Sequence, residues 1–456
     1  MAGDAHPLEL SIAASFAAHG HIPQVAFGIL VDGVLERVGA IGGATASTPF
    51  RIASMTKSFT AAALLTLHDE GVLDLDAPVA SIDPPLGALD EAAQRLSASA
   101  VPVTTRHLLT MSSGLATDDP WADRHMAADP AFLDGVLAEG VTFAALPGTA
   151  FEYSNLGYAV AGRIAELVSG TRLQELVMTR LIEPLELAST GWDVPPDGVD
   201  WARPHRWQDE QIVPDLAPVA DGSFAPLGGL WSTVEDLAVW VAFLSEPSSP
   251  GPLSGAARRM MSAVAVAERP DPYDPTDPFA WYGMGLETNP DRAAGLASSH
   301  SGGLPGYGSH MCWTKDRRLG VITLGNVTYA PARPMAWAIL RCAALGDGSG
   351  RGLDWPIGRL GRRLVALLNN WDSAMAAALF TDNVALDEDF DRRARAALEL
   401  VDKHGLLQLV GVEPDRFTRG VLTVLGSGSG ALLRISVKCS AHADSKVQWY
   451  EVDSWT

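Results

Sequence analysis

The stretch ASMTKSFTAAALLTLHDEG, residues 53–71, is the part of the sequence from which the fold and the chemistry are inferred. Helix-forming residues run from about Ser54 to Glu70, and the stretch ends at Gly71, a residue type that commonly terminates helices. Side chains three positions apart lie on one helix face, so the hydroxyl of Ser54 and the amine of Lys57 are expected to touch. A serine hydroxyl is a weak nucleophile that needs a base, and an uncharged lysine amine can serve. The stretch therefore predicts a serine nucleophile with a lysine base.

This motif alone is weak evidence, because chance gives about 0.3 Ser-x-x-Lys pairs in a chain of this composition. The alternative is a surface serine and a surface lysine that share a helix. The chain has only five lysines against 28 arginines. A basic residue that must lose its proton has to be lysine, since arginine in effect cannot.

A second motif lies in LPGTAFEYSNLGY, residues 146–158, at a loop position just before a predicted helix. The hydroxyl of Tyr153 can relay a proton near a lysine, and the amide of Asn155 can orient both the lysine and a substrate. The alternative is a buried tyrosine with a structural role.

A third motif, His300-Ser301-Gly302-Gly303, is expected to open a strand. Glycines in a strand let another backbone or a ligand approach closely. The alternative for His300 is a structural hydrogen-bonding histidine.

In this order the three motifs resemble those of the serine β-lactamase and penicillin-binding-protein superfamily. The resemblance is to its branch of class C β-lactamases, D-aminopeptidases, DD-peptidases and related esterases, which carries Ser-x-x-Lys, Tyr-x-Asn, and Lys-Thr-Gly or His-x-Gly. It covers about residues 8–345. The surrounding sequence is also similar in RHLLTMSSGL (106–115), LPGTAFEYSNLGY (146–158), GGLWSTVEDLAVW (228–240) and DRRLGVITLGN (316–326).

The resemblance implies roles for these residues. Ser54 would be the acylated nucleophile, Lys57 its proton partner, and Tyr153 the relay of the proton to the leaving atom. The backbone N–H groups of Ser54 and Gly303 would form the oxyanion hole. The substrate-binding residues would be Asn155, His300, Ser301 and Gly302. Gly302 would leave room for the substrate along the strand edge, and no metal or cofactor is implied.

The fold implied is α+β and β-lactamase/transpeptidase-like: an antiparallel sheet flanked by helices, with an inserted, mainly helical domain. The glycine-rich stretch GDGSGRG, residues 346–352, predicts a linker before a small C-terminal α+β roll that is similar to cystatin-like or NTF2-like domains. The predicted division is a hydrolase domain 1–345, with its α/β part in 1–76 and 230–345 and its helical insert in 77–229, a linker 346–355, and a C-terminal domain 356–456.

One departure from the lysine-bearing members of the family concerns the substrate. Where the third motif usually has a charged lysine that holds a carboxylate, this chain has His300, and histidine is mostly neutral at pH 7. The interpretation is therefore a metal-free serine hydrolase that acts as an esterase or as a D-amino-acid amidase or peptidase. The alternatives are a β-lactamase or DD-peptidase proper, a penicillin-recognising sensor that acylates without turnover, and an inactive scaffold.

Composition limits the partners and the compartment. The formal net charge of −21 argues against binding nucleic acid or an anionic membrane, and no apolar run approaches the ~20 residues that span a bilayer. Cys312, Cys342 and Cys439 lack paired spacing, and no secretory signal precedes Arg37, so a cytoplasmic location is expected. The expected partner is a small-molecule ester, an amide or a short peptide, and a homo-oligomer is compatible with the sequence.

Overall fold

The computed structural model describes residues 2–117, 125–195, 199–215, 222–268, 280–291, 294–314, 319–346, 356–416, 418–429, 431–440 and 446–454. The chain forms two compact units. The large unit comprises Met1–Gly3, Pro23–Pro290 and Leu296–Ala336, and the small unit comprises Asp4–Ile22, Asp291–Gly295 and Trp337–Thr456.

The strands up to residue 325 are β1 (Gly3–Asp4), β2 (Val25–Val31), β3 (Val34–Ile41), β4 (Phe50–Arg51), β5 (His205–Gln208), β6 (Gln211–Pro214), β7 (Trp231–Ser232), β8 (Val266–Glu268), β9 (Ala280–Tyr282), β10 (Glu287–Asp291), β11 (Gly295–Leu304), β12 (Tyr307–Thr314) and β13 (Leu319–Gly325). The sheet of the large unit has the spatial order β3-β2-β13-β12-β11-β10-β9-β8. Its central neighbours, β2 with β13, β13 with β12 and β12 with β11, are antiparallel.

The pattern QVAFGILVDG followed by VLERVGAIGG, residues 24–43, predicts two strands joined by a turn at Asp32-Gly33, and the structure has this hairpin. β2 and β3 are joined by Asp32 and Gly33, whose φ angles are +51° and +78°. Two consecutive positive φ angles are typical of the turn whose twist matches a two-residue hairpin, and glycine adopts the second without steric cost.

Both ends of the large unit contribute to this sheet. Val25 of β2 pairs with Gly325 of β13, and next to this pair Gln24 N donates to Asn326 Oδ1 across 302 sequence positions at 2.7 Å.

The helices through residue 346 are α1 (Pro7–His19), α2 (Thr56–Asp69), α3 (Gly87–Leu96), α4 (Thr105–Leu109), α5 (Pro130–Glu139), α6 (Asn155–Ser169), α7 (Leu173–Val177), α8 (Val234–Ser245), α9 (Gly255–Met261) and α10 (Ala332–Gly346). The block 77–229 is mainly helical, as predicted, but it also contains the hairpin β5–β6, which the sequence pattern did not indicate.

The helix α2 lies in the core of the large unit, and its residues from Thr56 to Leu67 are all buried. Trp240 of α8 stacks on Phe59 with ring centroids 4.1 Å apart, and its Nε1 donates to Ser58 Oγ at 3.1 Å. The burial of α2 on all sides gives the motif at its N-terminus a rigid support.

Two local predictions differ from the structure. The alternating pattern of WYGMGLETN, residues 281–289, predicts a strand, but β9 ends at Tyr282 and β10 begins at Glu287, because Gly285 has a φ of +77° and turns the chain. His300 lies within β11 and does not open it. The segments SHMCWTKD (309–316) and LGVITLGN (319–326) also predict antiparallel strands with a turn near Lys315-Asp316, and that turn lies outside the described residues.

The small unit has its own apolar core. After residue 355 its helices are α11 (Pro356–Asn369), α12 (Ser373–Leu379), α13 (Asp382–Asp387) and α14 (Phe390–His404), followed by the strands β14 (Leu407–Arg416), β15 (Arg419–Gly426), β16 (Leu432–Cys439) and β17 (Val447–Ser454). These strands form an antiparallel sheet in chain order. Its core includes Ile357, Leu364, Leu422, Ile435 and Val447.

The predicted α+β class, with an antiparallel sheet, a helical insert and a small C-terminal α+β part, is confirmed. The boundaries 1–345 and 356–456 and the likeness to cystatin or NTF2 stay predictions, and residues 347–355 of the predicted linker lie outside the described residues. Within the described ranges, no helix has the length and the apolarity that crossing a bilayer requires.

Candidate active site

The pairing expected between Ser54 and Lys57 is present. Ser54 lies in a 3-10 turn, Ala53–Met55, that leads directly into α2. The Nζ of Lys57 lies 3.0 Å from Ser54 Oγ. The hydroxyl and the amine therefore lie within proton-transfer distance in the ground state.

The side chain of Lys57 is fully buried, and its amine has further hydrogen-bond partners. It lies 2.8 Å from Asn155 Oδ1 and 2.8 Å from the carbonyl oxygen of Leu227. An amide oxygen and a backbone carbonyl can only accept hydrogen bonds. A neutral amine that donates to both therefore directs its lone pair at Ser54, which is the orientation a base needs.

The carbonyl of Leu227 is positioned by α2 itself. Thr60 Oγ1 donates to the carbonyl of Pro226 at 2.7 Å, and the N–H of Leu230 donates to Thr56 Oγ1 at 3.1 Å. These bonds fix the segment 226–230 beside the helix that carries the lysine. Because Leu227 takes part through its backbone, its residue type carried no signal in the sequence.

The turn that presents Ser54 contains an unusual backbone conformation. Ala53 has a φ of +49°, a left-handed region in which a residue other than glycine costs of the order of 1–3 kcal/mol. The neighbouring Ile52 is held at both ends, since its N–H donates to Leu230 O at 3.0 Å and its carbonyl accepts from Ser309 Oγ at 2.7 Å. These bonds stabilise the conformation of the turn.

The structure gives Gly302 a different role from the one expected. A Cβ on Gly302 would lie 2.2 Å from the carbonyl oxygen of Ile52 and 2.3 Å from Ser309 Oγ. Glycine is needed there because the Ser54 turn packs directly against β11. The family resemblance implied that this space is left for the substrate.

Tyr153 lies at the same place, as predicted. It directly precedes Ser154, the N-cap of α6, whose Oγ accepts from the N–H of Gly157 at 3.1 Å. The centroid of the Tyr153 ring lies 4.9 Å from Lys57 Nζ. The start of α6 thus supplies both Tyr153 and Asn155 to the lysine.

His300 is buried and neutral. Its Nδ1 lies 2.6 Å from the carbonyl of Ser301, which only accepts, so Nδ1 carries the hydrogen. Its Nε2 lies 3.0 Å from the hydroxyl of Tyr282 and accepts from it, and burial raises the pKa of that hydroxyl, which keeps it protonated. Burial lowers the pKa of His300 to about 4. The third motif therefore supplies no positive charge at neutral pH.

Ser301 has a histidine partner of its own. Its Oγ lies 2.8 Å from Nδ1 of His310, a buried residue of β12 whose pKa is lowered by desolvation. The site thus contains a second serine, Ser301, and its hydrogen-bond partner is a histidine where that of Ser54 is a lysine.

An open cavity of about 430 Å³ brings these residues together. Ser54, Tyr153 and the third motif, 300–303, line it, while Lys57 and Asn155 are buried and bonded to each other beside Ser54. All of the predicted site residues thus come together at one place in the large unit.

The cavity also has lining residues that the three motifs did not predict, among them Glu268, Glu287, Tyr329 and Arg333. The ring of Tyr329 lies against the third motif, since a Cβ on Gly303 would be 2.5 Å from its Cδ1. A guanidinium nitrogen of Arg333 lies 3.2 Å from Glu287 Oε2. These residues come from segments without a recognisable motif, so only the fold identifies them.

Comparison with known proteins gives a family match and several relatives. The Beta-lactamase family model matches residues 11–345. The D-aminopeptidase of Gluconobacter oxydans (strain 621H) is 27% identical over 326 residues, which is 66% of this chain and 53% of that protein. The chain spans about 44 to 61% of the length of such curated relatives.

Two solved structures have a similar fold. A D-stereospecific amidohydrolase from Streptomyces sp. superposes with a TM-score of 0.59 at 22% identity, covering 74% of this chain and 99% of its own. An octameric penicillin-binding protein homologue from Pyrococcus abyssi superposes with a TM-score of 0.60 at 22% identity, covering 98% of this chain and 96% of its own.

Proposed function

Since this chain belongs to the β-lactamase family, we propose that it is a serine hydrolase that acylates Ser54 with an ester or amide substrate and then releases the acyl group to water. The observation that carries the proposal is the 3.0 Å contact between Ser54 Oγ and the buried amine of Lys57. The acceptors Asn155 Oδ1 and Leu227 O support it, because they orient that amine toward the serine.

In the first step Ser54 Oγ attacks the carbonyl carbon of the substrate, and its proton moves to the neutral amine of Lys57. The carbonyl oxygen becomes an oxyanion, which the backbone N–H groups of Ser54 and Gly303 would stabilise. The bond to the leaving atom then breaks, and Tyr153 delivers a proton to that atom while its hydroxyl recovers one from Lys57. Water then attacks the acyl-enzyme: Tyr153 and Lys57 accept its proton, and Ser54 Oγ takes a proton back as the acyl group leaves as the free acid.

The proposed substrates are esters or amides, including amides of D-amino acids. The D-aminopeptidase relative supports the amide class, and the neutral His300 argues against a substrate that depends on a charged third motif to hold its carboxylate. We also propose that this chain forms a homo-oligomer. The octameric state is that of the Pyrococcus abyssi homologue, which has a similar fold.

The test is covalent labelling with an aryl phosphonate, followed by intact-protein and peptide mass spectrometry. We expect one adduct on Ser54 in the wild type and none in Ser54→Ala. Ser301→Ala is the matched control, because Ser301 lies in the same cavity and has its own histidine partner. An adduct that survives in Ser54→Ala and disappears in Ser301→Ala would overturn the proposal.

Turnover separates an enzyme from a sensor that acylates only once. With p-nitrophenyl esters we expect steady release of product over many equivalents of enzyme. A stoichiometric burst that then stops would favour the penicillin-recognising sensor.

A further inference from the structure

Among the described residues that line the candidate active site, three carry charged side chains: Glu268, Glu287 and Arg333. Arg333 is a permanent cation, and 29% of its side chain is exposed. It lies at the start of α10, distant in sequence from the three motifs. With His300 neutral, Arg333 is the cation among the described lining residues that would attract a carboxylate.

That charge already has a partner inside the protein. A guanidinium nitrogen of Arg333 lies 3.2 Å from Glu287 Oε2, and only 9% of the Glu287 side chain is exposed. Asn289 Nδ2 lies 3.4 Å from the same oxygen. Glu287 is thus fixed on β10, and it cancels the charge of Arg333 within the cavity.

The Glu287–Arg333 pair leaves no open cation for a carboxylate to bind. A substrate carboxylate would have to displace Glu287 from Arg333. A neutral substrate meets no such penalty.

We propose that Glu287 sets the charge selectivity of the active site: by neutralising Arg333 it makes the enzyme favour esters and amides with a neutral acyl group over carboxylate-bearing ones. This inference rests on the proposed hydrolase function and specifies its substrate class. Glu287 acts through Arg333, so it is a specificity-determining residue and takes no part in bond breaking.

The test uses three p-nitrophenyl esters with the same leaving group: the monoester of glutarate, which carries a carboxylate, the neutral valerate, and γ-(trimethylammonio)butyrate, which carries a permanent cation. The variants are Glu287→Gln, Arg333→Gln and the double substitution. Glu139→Gln is the control, because it removes one negative charge at the exposed end of α5, and Glu139 is not among the residues that line the cavity.

The measured quantity is the ratio of kcat/KM for each charged ester to that for the valerate. In Glu287→Gln we expect the glutarate ratio to rise about tenfold or more, the scale of one charge-assisted hydrogen bond, and the cation ratio to fall. In the double variant the rise should vanish, because the cation that Glu287→Gln exposes is then absent. Glu139→Gln should leave both ratios unchanged.

Unchanged ratios in Glu287→Gln, or an equal rise in the double variant, would overturn the inference. The thermal unfolding midpoints of all variants show whether any of them has lost its fold. Because the Arg333 side chain is partly exposed, we expect Arg333→Gln to fold, so that the single and double variants can be compared. If the wild type hydrolyses none of the esters and is not labelled by the phosphonate, the proposed function fails and this inference fails with it. Turnover with unshifted ratios overturns the inference alone.

Discussion

At the scale of single residues, the lysine amine is the group on which the proposed chemistry depends most directly. Lys57→Arg keeps a positive charge but cannot give up a proton, and its planar group cannot reproduce the three contacts to Ser54, Asn155 and Leu227. We expect kcat/KM for p-nitrophenyl esters to fall roughly 10²-fold or more. Near-normal activity in Lys57→Arg would exclude a lysine base.

The relay assigned to Tyr153 has its own test. Tyr153→Phe keeps the ring beside Lys57 Nζ but removes the hydroxyl, so we expect turnover to fall by roughly 10²-fold or more, the scale of general acid–base effects. The fall should be smaller for p-nitrophenyl esters than for anilides, because a phenolate leaves without needing a proton. An equal fall for both leaving groups would contradict a role in proton delivery.

His300 gives a prediction about pH. Because burial lowers its pKa to about 4, His300 stays neutral throughout the range from pH 8 to pH 6. We therefore expect the ratio of kcat/KM for a carboxylate-bearing β-lactam to that for a neutral ester to show no inflection near pH 6.5. An inflection there that disappears in His300→Gln would show that the histidine gains its charge in this range and contradict the prediction.

Two buried histidines also link stability to pH. Desolvation lowers the pKa values of His300 and His310 below the value of ~6.5 expected in the unfolded chain. Between that value and the folded-state pKa the unfolded state binds more protons, so the free energy of unfolding falls as the pH falls. Each histidine contributes up to about 1.4 kcal/mol per pH unit in this window.

The measurement is the thermal midpoint of the large unit at pH 7.5 and at pH 5. We expect His310→Gln to lose less stability between the two values than the wild type does. Equal losses in both proteins would show that His310 is not a source of the acid sensitivity.

At the scale of elements, the contact between β11 and the Ser54 turn controls the position of the nucleophile. Gly302→Ala would place a Cβ 2.2 Å from the Ile52 carbonyl and must displace the turn. We expect it to lower kcat strongly and to lower the thermal midpoint. Gly320→Ala in β13 is the matched control, because a Cβ there would have its nearest neighbours at 3.4 Å. Equal effects of both substitutions on kcat would contradict this account.

Gly302 also shows which features of the site can be predicted from the sequence and which cannot. The motif contains this glycine, but the group that requires it, the carbonyl of Ile52, lies 250 positions away in the sequence. The reactive types Ser54, Lys57 and Tyr153 were predictable because few side chains can perform those steps. Leu227, Glu287 and Arg333 were not, since they act through backbone atoms or through a partner that only the fold supplies.

At the scale of the whole molecule, the division into two units allows a test of whether the large unit folds without the C-terminal part of the chain. The superposition on the Streptomyces amidohydrolase covers 99% of that protein but only 74% of this chain. A similar fold therefore exists in a protein that lacks the remaining quarter of this chain. We expect a chain that ends near Gly350 to keep phosphonate labelling at Ser54. It should be less soluble than a chain that also lacks residues 1–22, because Asp4–Ile22 belongs to the small unit.

The measurements are labelling stoichiometry and the soluble fraction of both truncated chains, with the full chain as the reference. If neither truncated chain folds, the large unit depends on the rest of the molecule and the predicted boundary is wrong.

The pairing of β2 with β13 has a consequence during protein synthesis. Gln24 and Asn326 meet across 302 positions, and a ribosome adds about 5–20 residues per second. The hairpin β2–β3 is therefore synthesised about 15–60 s before β13, the strand with which β2 pairs. For that time the apolar strand VAFGILV has an open edge, which is a template for pairing with other chains. We therefore expect the nascent chain, more than the finished protein, to need the protection of chaperones.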